Sequence, residues 1–164
     1  MSCGYQSASG SAAWAPLAAE AERAAVAIRN EVPAETARLD AGLTQQALTN
    51  LFANAVRHAP RGSTVTIRAR SQGGRVEFDV TDEGAGFPDS FLPIAFEPFR
   101  RGDTHHGGSG LGLALVDAVA RAHGGEATAN NAPGRGASVR LLLRTLPGSE
   151  SQEEDSSPAL PMVR

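Results

Sequence analysis

Lysine is absent from this chain: all 15 basic residues among its 164 are arginine. A lysine-bearing phosphate loop, the strand lysine of protein kinases and any Schiff-base mechanism all need an amine that is not there. The stretch Val26-Ala27-Ile28-Arg29 only imitates the protein-kinase strand motif. Cysteine is nearly absent too. Cys3 is the single one, so no internal disulfide can form and no cysteine-based zinc cluster exists. No apolar run approaches the length needed to span a bilayer. Residues 1–16 lack the basic start and apolar core of a signal peptide. A soluble protein of a reducing compartment, the cytoplasm, is expected, with no direct membrane insertion. The net charge of −3 gathers in the tail, where Glu150, Glu153, Glu154 and Asp155 face only Arg164. Nothing there suggests a nucleic-acid-binding surface.

What the chain does have is two glycine clusters, each beside a group that can hold a ligand. Asp82-Glu83-Gly84-Ala85-Gly86-Phe87-Pro88 ends a strand in a carboxylate and then turns. Gly108-Ser109-Gly110-Leu111-Gly112-Leu113 opens a helix. A carboxylate can accept a hydrogen bond from an adenine amino group. A helix start offers free N–H groups and a positive dipole end to phosphates. Either cluster alone also fits ordinary turns.

Upstream lies a helix with an unusual polar face, expected over residues 47–58. Leu48, Leu51, Phe52 and Ala55 form one buried stripe. Opposite them stand Asn50, Asn54 and Arg57, with His58 on the flank. Asparagine is a poor helix former, and a solvated face normally prefers Glu, Gln, Lys or Arg. Two readings are open: an Asn-rich surface, or a ligand face with an amide oxygen on Mg²⁺ and a guanidinium on phosphate. Magnesium suits a site with one protein oxygen, several waters and phosphate oxygens.

One domain is expected over residues 17–147, between a flexible segment 1–16, with Trp14 as a docking contact, and a disordered acidic tail 148–164. A helix over residues 17–25 leads to a strand alternating through Val26, Ile28 and Val32, then a short strand over residues 36–39. Val65, Ile67 and Ala69 alternate inward, Gly73-Gly74 turns the chain, and Val76, Phe78 and Val80 return. Asp82 continues that phase onto the buried face, where a carboxylate needs a partner or a ligand. Residues 100–110 carry glycine, charge and histidine without hydrophobic period and read as a lid. A helix over residues 111–123 ends at Gly124-Gly125, as a left-handed C-cap requires. Strands at residues 126–130 and 138–144 close a last hairpin.

The segments together resemble the nucleotide-binding lobe of sensor histidine kinases, within the superfamily that also holds Hsp90, DNA gyrase B and MutL ATPases. Asn50-Leu51-Phe52-Ala53-Asn54-Ala55 looks like the N box, and Asp82-Glu83-Gly84-Ala85-Gly86 like the G1 box. Phe96-Glu97-Pro98-Phe99-Arg100-Arg101-Gly102 resembles the F box, and Gly108-Ser109-Gly110-Leu111-Gly112-Leu113 the G2 box. Four boxes in the family's order are far more specific than any one of them. The resemblance implies a two-layer α/β sandwich of the Bergerat type. A mixed sheet of about five strands carries three helices on one face, and a flexible lid covers ATP.

It also implies roles. Asn54 is the Mg²⁺ ligand; Asn50, Asn54, Arg57 and Arg101 serve phosphoryl transfer. Nucleotide contacts fall to those asparagines, Arg57, His58, Asp82, Gly84, Gly86, Phe87, Gly108, Ser109, Gly110, Leu111, Gly112 and Leu113. Blander roles stand beside these. Phe96 and Phe99 have the spacing of core anchors, and Arg101 also fits an exposed lid position. His58 is a polar neighbour of the phosphates or a structural donor, His105-His106 a solvated pair, and His123 a helix cap.

Hydrolytic members of the superfamily, and anti-sigma Ser kinases, carry a Glu one turn before the metal-binding Asn. Here that position is Asn50, whose amide cannot take a proton at neutral pH. A histidine acceptor needs little help, being neutral and nucleophilic near pH 7. The expected activity is therefore transfer of the ATP γ-phosphate to histidine. None of His58, His105, His106 or His123 has the context of a phosphoacceptor. The expected partner is thus a separate phosphoacceptor protein or domain, and indirectly a response regulator. The Met1 start slightly favours a split-kinase subunit over an excised lobe. An anti-sigma-type Ser/Thr kinase and a non-catalytic nucleotide-responsive module are the alternatives.

Overall fold

The computed structural model describes residues 15–33, 37–101, 109–132 and 136–146, with side chains from residue 17 onward. The elements run α1 (Ala15–Ala24), β1 (Ala27–Glu31), α2 (Ala41–His58), β2 (Thr64–Gln72), β3 (Arg75–Thr81), α3 (Gly112–Ala122), β4 (Glu126–Asn131) and β5 (Ala137–Arg144). The strands form one sheet in the order β1-β2-β3-β5-β4. β1 pairs parallel with β2 and the other pairs are antiparallel, so the sheet is mixed, as expected.

Period-two patterning builds the sheet's inner face. Val65 and Ile67 of β2, Val76, Phe78 and Val80 of β3, and Val139, Leu141 and Leu143 of β5 are all buried. Against them α2 lays Ala47, Leu48, Leu51, Phe52, Ala55 and Val56, and α3 lays Leu113, Val116, Val119 and Ala120. Alternate positions on the other face carry charge: Arg68 of β2 pairs with Glu31 of β1 at 2.7 Å, and Arg140 of β5 with Glu77 of β3 at 3.5 Å. One face is therefore covered by helices and the other meets water.

Four expectations need correction. Helix α2 starts at Ala41, six positions before residue 47. Asp40 caps it: its Oδ1 accepts from the Leu43 N–H at 2.8 Å, and the added turn buries Thr44. β1 does not alternate. As an edge strand not covered by the helices, it exposes all its residues, Ile28 included at 40%, while Val26 is buried just before it. No strand forms at residues 37–40; Leu39 instead feeds the core, and Thr36 lies outside the described residues. Phe99 is no core anchor, being 74% exposed with φ 63°, whereas Phe96 does pack on the core.

The expected β2–β3 turn and the end of α3 are present. The β2–β3 turn falls at Gly73-Gly74, and α3 gives way to Gly124 at φ 60°. His123 caps α3, its Nδ1 lying 2.9 Å from the Val119 carbonyl oxygen. Trp14, Gly108, the His105-His106 pair, most of the 100–110 segment and residues 147–164 lie outside the described residues.

Candidate functional site

A cavity of about 380 Å³ opens between α2, the segment after β3 and the start of α3. Its wall gathers residues that are far apart in the chain: Asn50, Asn54, Arg57 and His58 from α2, and Asp82, Gly86 and Phe87 after β3. Arg101, Ser109, Gly110, Gly112 and Leu113 complete it. Among the described residues, two members of the expected set stand outside the wall. Gly84 lies behind it, donating its N–H to Asp82 Oδ1 at 2.7 Å. Leu111 is the N-cap of α3 and points to solvent, 41% exposed.

Asp82 sets one end of the cavity. It is 4% exposed, placed there by the alternation of β3. Oδ1 takes two backbone hydrogen bonds, from Gly84 at 2.7 Å and Ala137 at 3.2 Å. Among the described residues Oδ2 receives none, which leaves it for a ligand. Burial pushes this carboxyl above its ordinary value; the Gly84 and Ala137 N–H bonds and the nearby His58 pull it partly back. Phe87 and Phe91 flank the same end with ring centres 5.6 Å apart.

The polar face of α2 sets the other end. Asn50 spends its amide N–H₂ on the Gln46 carbonyl at 2.9 Å. A β-carbon on Gly112 would lie 3.3 Å from Asn50 Oδ1, so the carbonyl end faces α3. Asn54 has no hydrogen bond among the described residues, so its amide oxygen is available. No side chain caps the start of α3, whose first N–H groups sit beside the cavity. Arg100 is paired with Glu97 at 2.9 Å, while Arg101 makes no ion pair among the described residues.

Further wall residues were not among the expected site residues: Ala53, Ala85, Pro88 and Arg100 inside the quoted motifs, and Phe91, Ala95 and Ala137 outside them. Ala137 carries the most weight, because it grips Asp82 twice. Besides its N–H on Oδ1, its carbonyl accepts the Asp82 N–H at 3.0 Å. Nothing local marks such a residue, which is set by register across the sheet.

The donor set fits a nucleotide: a buried acceptor at one end, uncapped helix N–H groups and arginine at the other. It fits magnesium only with phosphate present, because no group of three or more His, Cys, Asp or Glu that could hold a metal exists among the described residues. Residues 39–147 match the family described as histidine kinase-, DNA gyrase B- and HSP90-like ATPases. The chain belongs to that family, and the matched region is its ATP-binding catalytic domain.

Among relatives, the sensor histidine kinase component HK1 of Mycobacterium tuberculosis is 45% identical over 109 residues, covering 65% of this chain and 64% of that protein. The sensor-like histidine kinase SenX3 of Mycobacterium bovis is 38% identical over 143 residues, covering 84% of this chain and 34% of SenX3. In structure, full-length ShkA in complex with AMPPNP aligns with a TM-score of 0.71 at 30% identity, over 81% of this chain and 28% of that one. The mycobacterial sensor histidine kinase MprB aligns at 0.68 and 26% identity, over 80% of this chain and 95% of that one. The chain thus spans from about a third to about two thirds of the two sequence relatives. No described helix is long and apolar enough to cross a membrane.

Proposed function

We propose that this domain binds Mg²⁺-ATP and transfers its γ-phosphate to a histidine on a separate phosphoacceptor protein or domain, within a two-component system in the cytoplasm. The observation that carries the reading is the meeting of two chemistries in the wall of one cavity. Asp82 offers a buried acceptor in the wall, and Asn54, Arg57, Arg101 and the start of α3 line the same cavity. The adenine amino group would meet Asp82, and the phosphates the polar end.

Asn54 would hold Mg²⁺ through its amide oxygen, and the ion would supply charge neutralisation on the phosphates. Arg57 and Arg101 would add positive charge where negative charge spreads in the transition state. His58, beside Asp82 and the polar face, fits a supporting contact to the nucleotide. Asn50 offers only an amide where a hydrolase needs a base, so water is poorly activated while an imidazole nucleophile attacks unaided. The role of the protein is then to position and neutralise. Residues 17–147 would form the catalytic unit, and a response regulator would receive the phosphate from the acceptor.

Incubation with labelled Mg²⁺-ATP and a histidine-bearing phosphoacceptor helix tests the reading. Label on the partner that is lost in acid is expected. Acid-stable label on the partner would point to a Ser/Thr kinase, and nucleotide binding without any transfer to a non-catalytic module.

A further inference from the structure

The loop opposite Asp82 is held by a side chain that none of the four boxes contains. Asn131, the last residue of β4, reaches the backbone of Phe87 across 44 positions of sequence. Its Oδ1 accepts from the Phe87 N–H at 2.7 Å, and its Nδ2 donates to the Phe87 carbonyl at 3.0 Å. Two bonds in opposite senses fix a peptide as a neighbouring strand would.

The fit is close at the two flanking glycines. Gly86 has φ 79°, and a β-carbon there would sit 2.7 Å from Asn131 Oδ1. A β-carbon on Gly136 would run into the carbonyl of Asp82. The hairpin is closed beside them by the Ala132 N–H on the Gly136 carbonyl at 2.9 Å. In the β4–β5 register Asn131 is the partner of Ala137. Ala137 is the residue that grips Asp82 through both its N–H and its carbonyl. One rung of the sheet therefore carries both walls of the cavity's base end: the carboxylate through Ala137, and the Gly86-Phe87 turn through Asn131.

Resting on the adenine-nucleotide reading above, we infer that Asn131 is a positioning residue that sets base specificity. It fixes the distance between the Phe87 loop and Asp82 without touching the ligand. A hydrogen-bonding pocket discriminates between bases only when its walls cannot yield, because a misplaced acceptor is harmless if the loop can move away from it. Loss of the two bonds should release the loop and leave Asp82 in place.

Calorimetry on the full chain with Mg²⁺ and ATP, ADP, GTP or inorganic tripolyphosphate tests this. In Asn131→Ala, affinity for ATP and for ADP should fall by the same factor, about tenfold, with tripolyphosphate unchanged. The ATP-over-GTP preference should shrink with it. Asn131→Asp, which keeps the acceptor for the Phe87 N–H but sets a carboxylate oxygen against the Phe87 carbonyl, should lose at least as much. It also serves where the alanine variant fails to fold. A preference for ATP that survives both substitutions overturns the role of Asn131, as does an equal loss for tripolyphosphate and ATP. A wild-type chain that binds ATP and GTP equally overturns the adenine assignment itself, and the two failures are thereby told apart.

Discussion

The two ends of the cavity are built on opposite principles. At the base end the key group, Asp82, is 4% exposed and tied by backbone bonds to Gly84 and Ala137. At the proposed phosphate end Arg57 and Arg101 are exposed, and Asn54 has no internal partner among the described residues. A buried acceptor braced through one oxygen and open at the other is suited to reading the shape of a ligand, since any mismatch leaves the open oxygen without water or partner. Exposed, unbraced donors are suited to meeting groups that change charge and position during transfer. On the proposed function, the rigid half would select the nucleotide and the open half would serve the transfer.

The largest test of this separation is Asn54→Ala. Phosphotransfer should drop on the order of 100-fold or more, while the melting temperature stays put because alanine suits a helix face. Nucleotide should still bind through the base end. Normal transfer by this variant in Mg²⁺ would show that the metal is held elsewhere.

Asp82→Asn should do the reverse. Its loss of ATP-over-GTP preference should be worth about 1–3 kcal/mol, read by competition calorimetry. The ligand-free domain should melt no lower, because a neutral amide keeps the acceptor oxygen and sheds the charge that burial disfavours. The pH dependence has a definite sign. Burial raises the folded-state value of Asp82, so the folded chain holds that proton more tightly than the unfolded one. The stability this contributes is full below the ordinary carboxylate range and is lost as pH rises through the raised value. A matched pH series of thermal melts should show that slope in the wild type and its loss in Asp82→Asn; identical profiles would refute it.

A subtler probe lies at the neck of the 100–110 segment. The Phe99 N–H donates to the Gly110 carbonyl at 2.9 Å, and a β-carbon on Gly110 would lie 2.9 Å from Phe99 Cα. Gly110 has φ 70°, so Gly110→Ala is strained as well as crowded. ATP affinity should weaken several-fold, by about 1 kcal/mol, with adenosine affinity unchanged. An equal loss for adenosine would mean that the ends are not separable. The smallest effect is expected for Arg100→Ala beside Arg101→Ala. Arg100 is engaged with Glu97, so its loss should slow transfer less than that of Arg101. Equal rates in the two variants would remove the distinction.

How legible each end was in the sequence follows from the range of its interactions. Asp82 could be placed because alternation through Val76, Phe78 and Val80 carries directly into it. The face bearing Asn50, Asn54 and Arg57 could be read because helical spacing separates it from Leu48, Leu51 and Phe52. Both are local signals. Asn131, Gly136 and Ala137 left no such mark, because their partners are distant in sequence and only strand pairing brings them close. A pair of asparagines ahead of Pro133-Gly134 reads as the start of a turn. Phe99 misled for a related reason: spacing from Phe96 suggests one buried face, but a left-handed backbone turns the ring outward. β1 misled because burial depends on neighbours, and an edge strand has only one.

The long-range ties of the base end also bear on how the molecule comes together in time. The β2–β3 hairpin closes across Gly73-Gly74, whereas the bonds that brace the pocket join residues 44 and 55 positions apart. Closing longer loops costs more chain entropy and waits on prior collapse. The pocket should therefore be among the last parts to form, after the hairpins and the α2 contacts. A ligand that binds only that finished arrangement adds stability by mass action. Nucleotide would then slow unfolding far more than it speeds folding, because it bridges contacts still absent at the barrier.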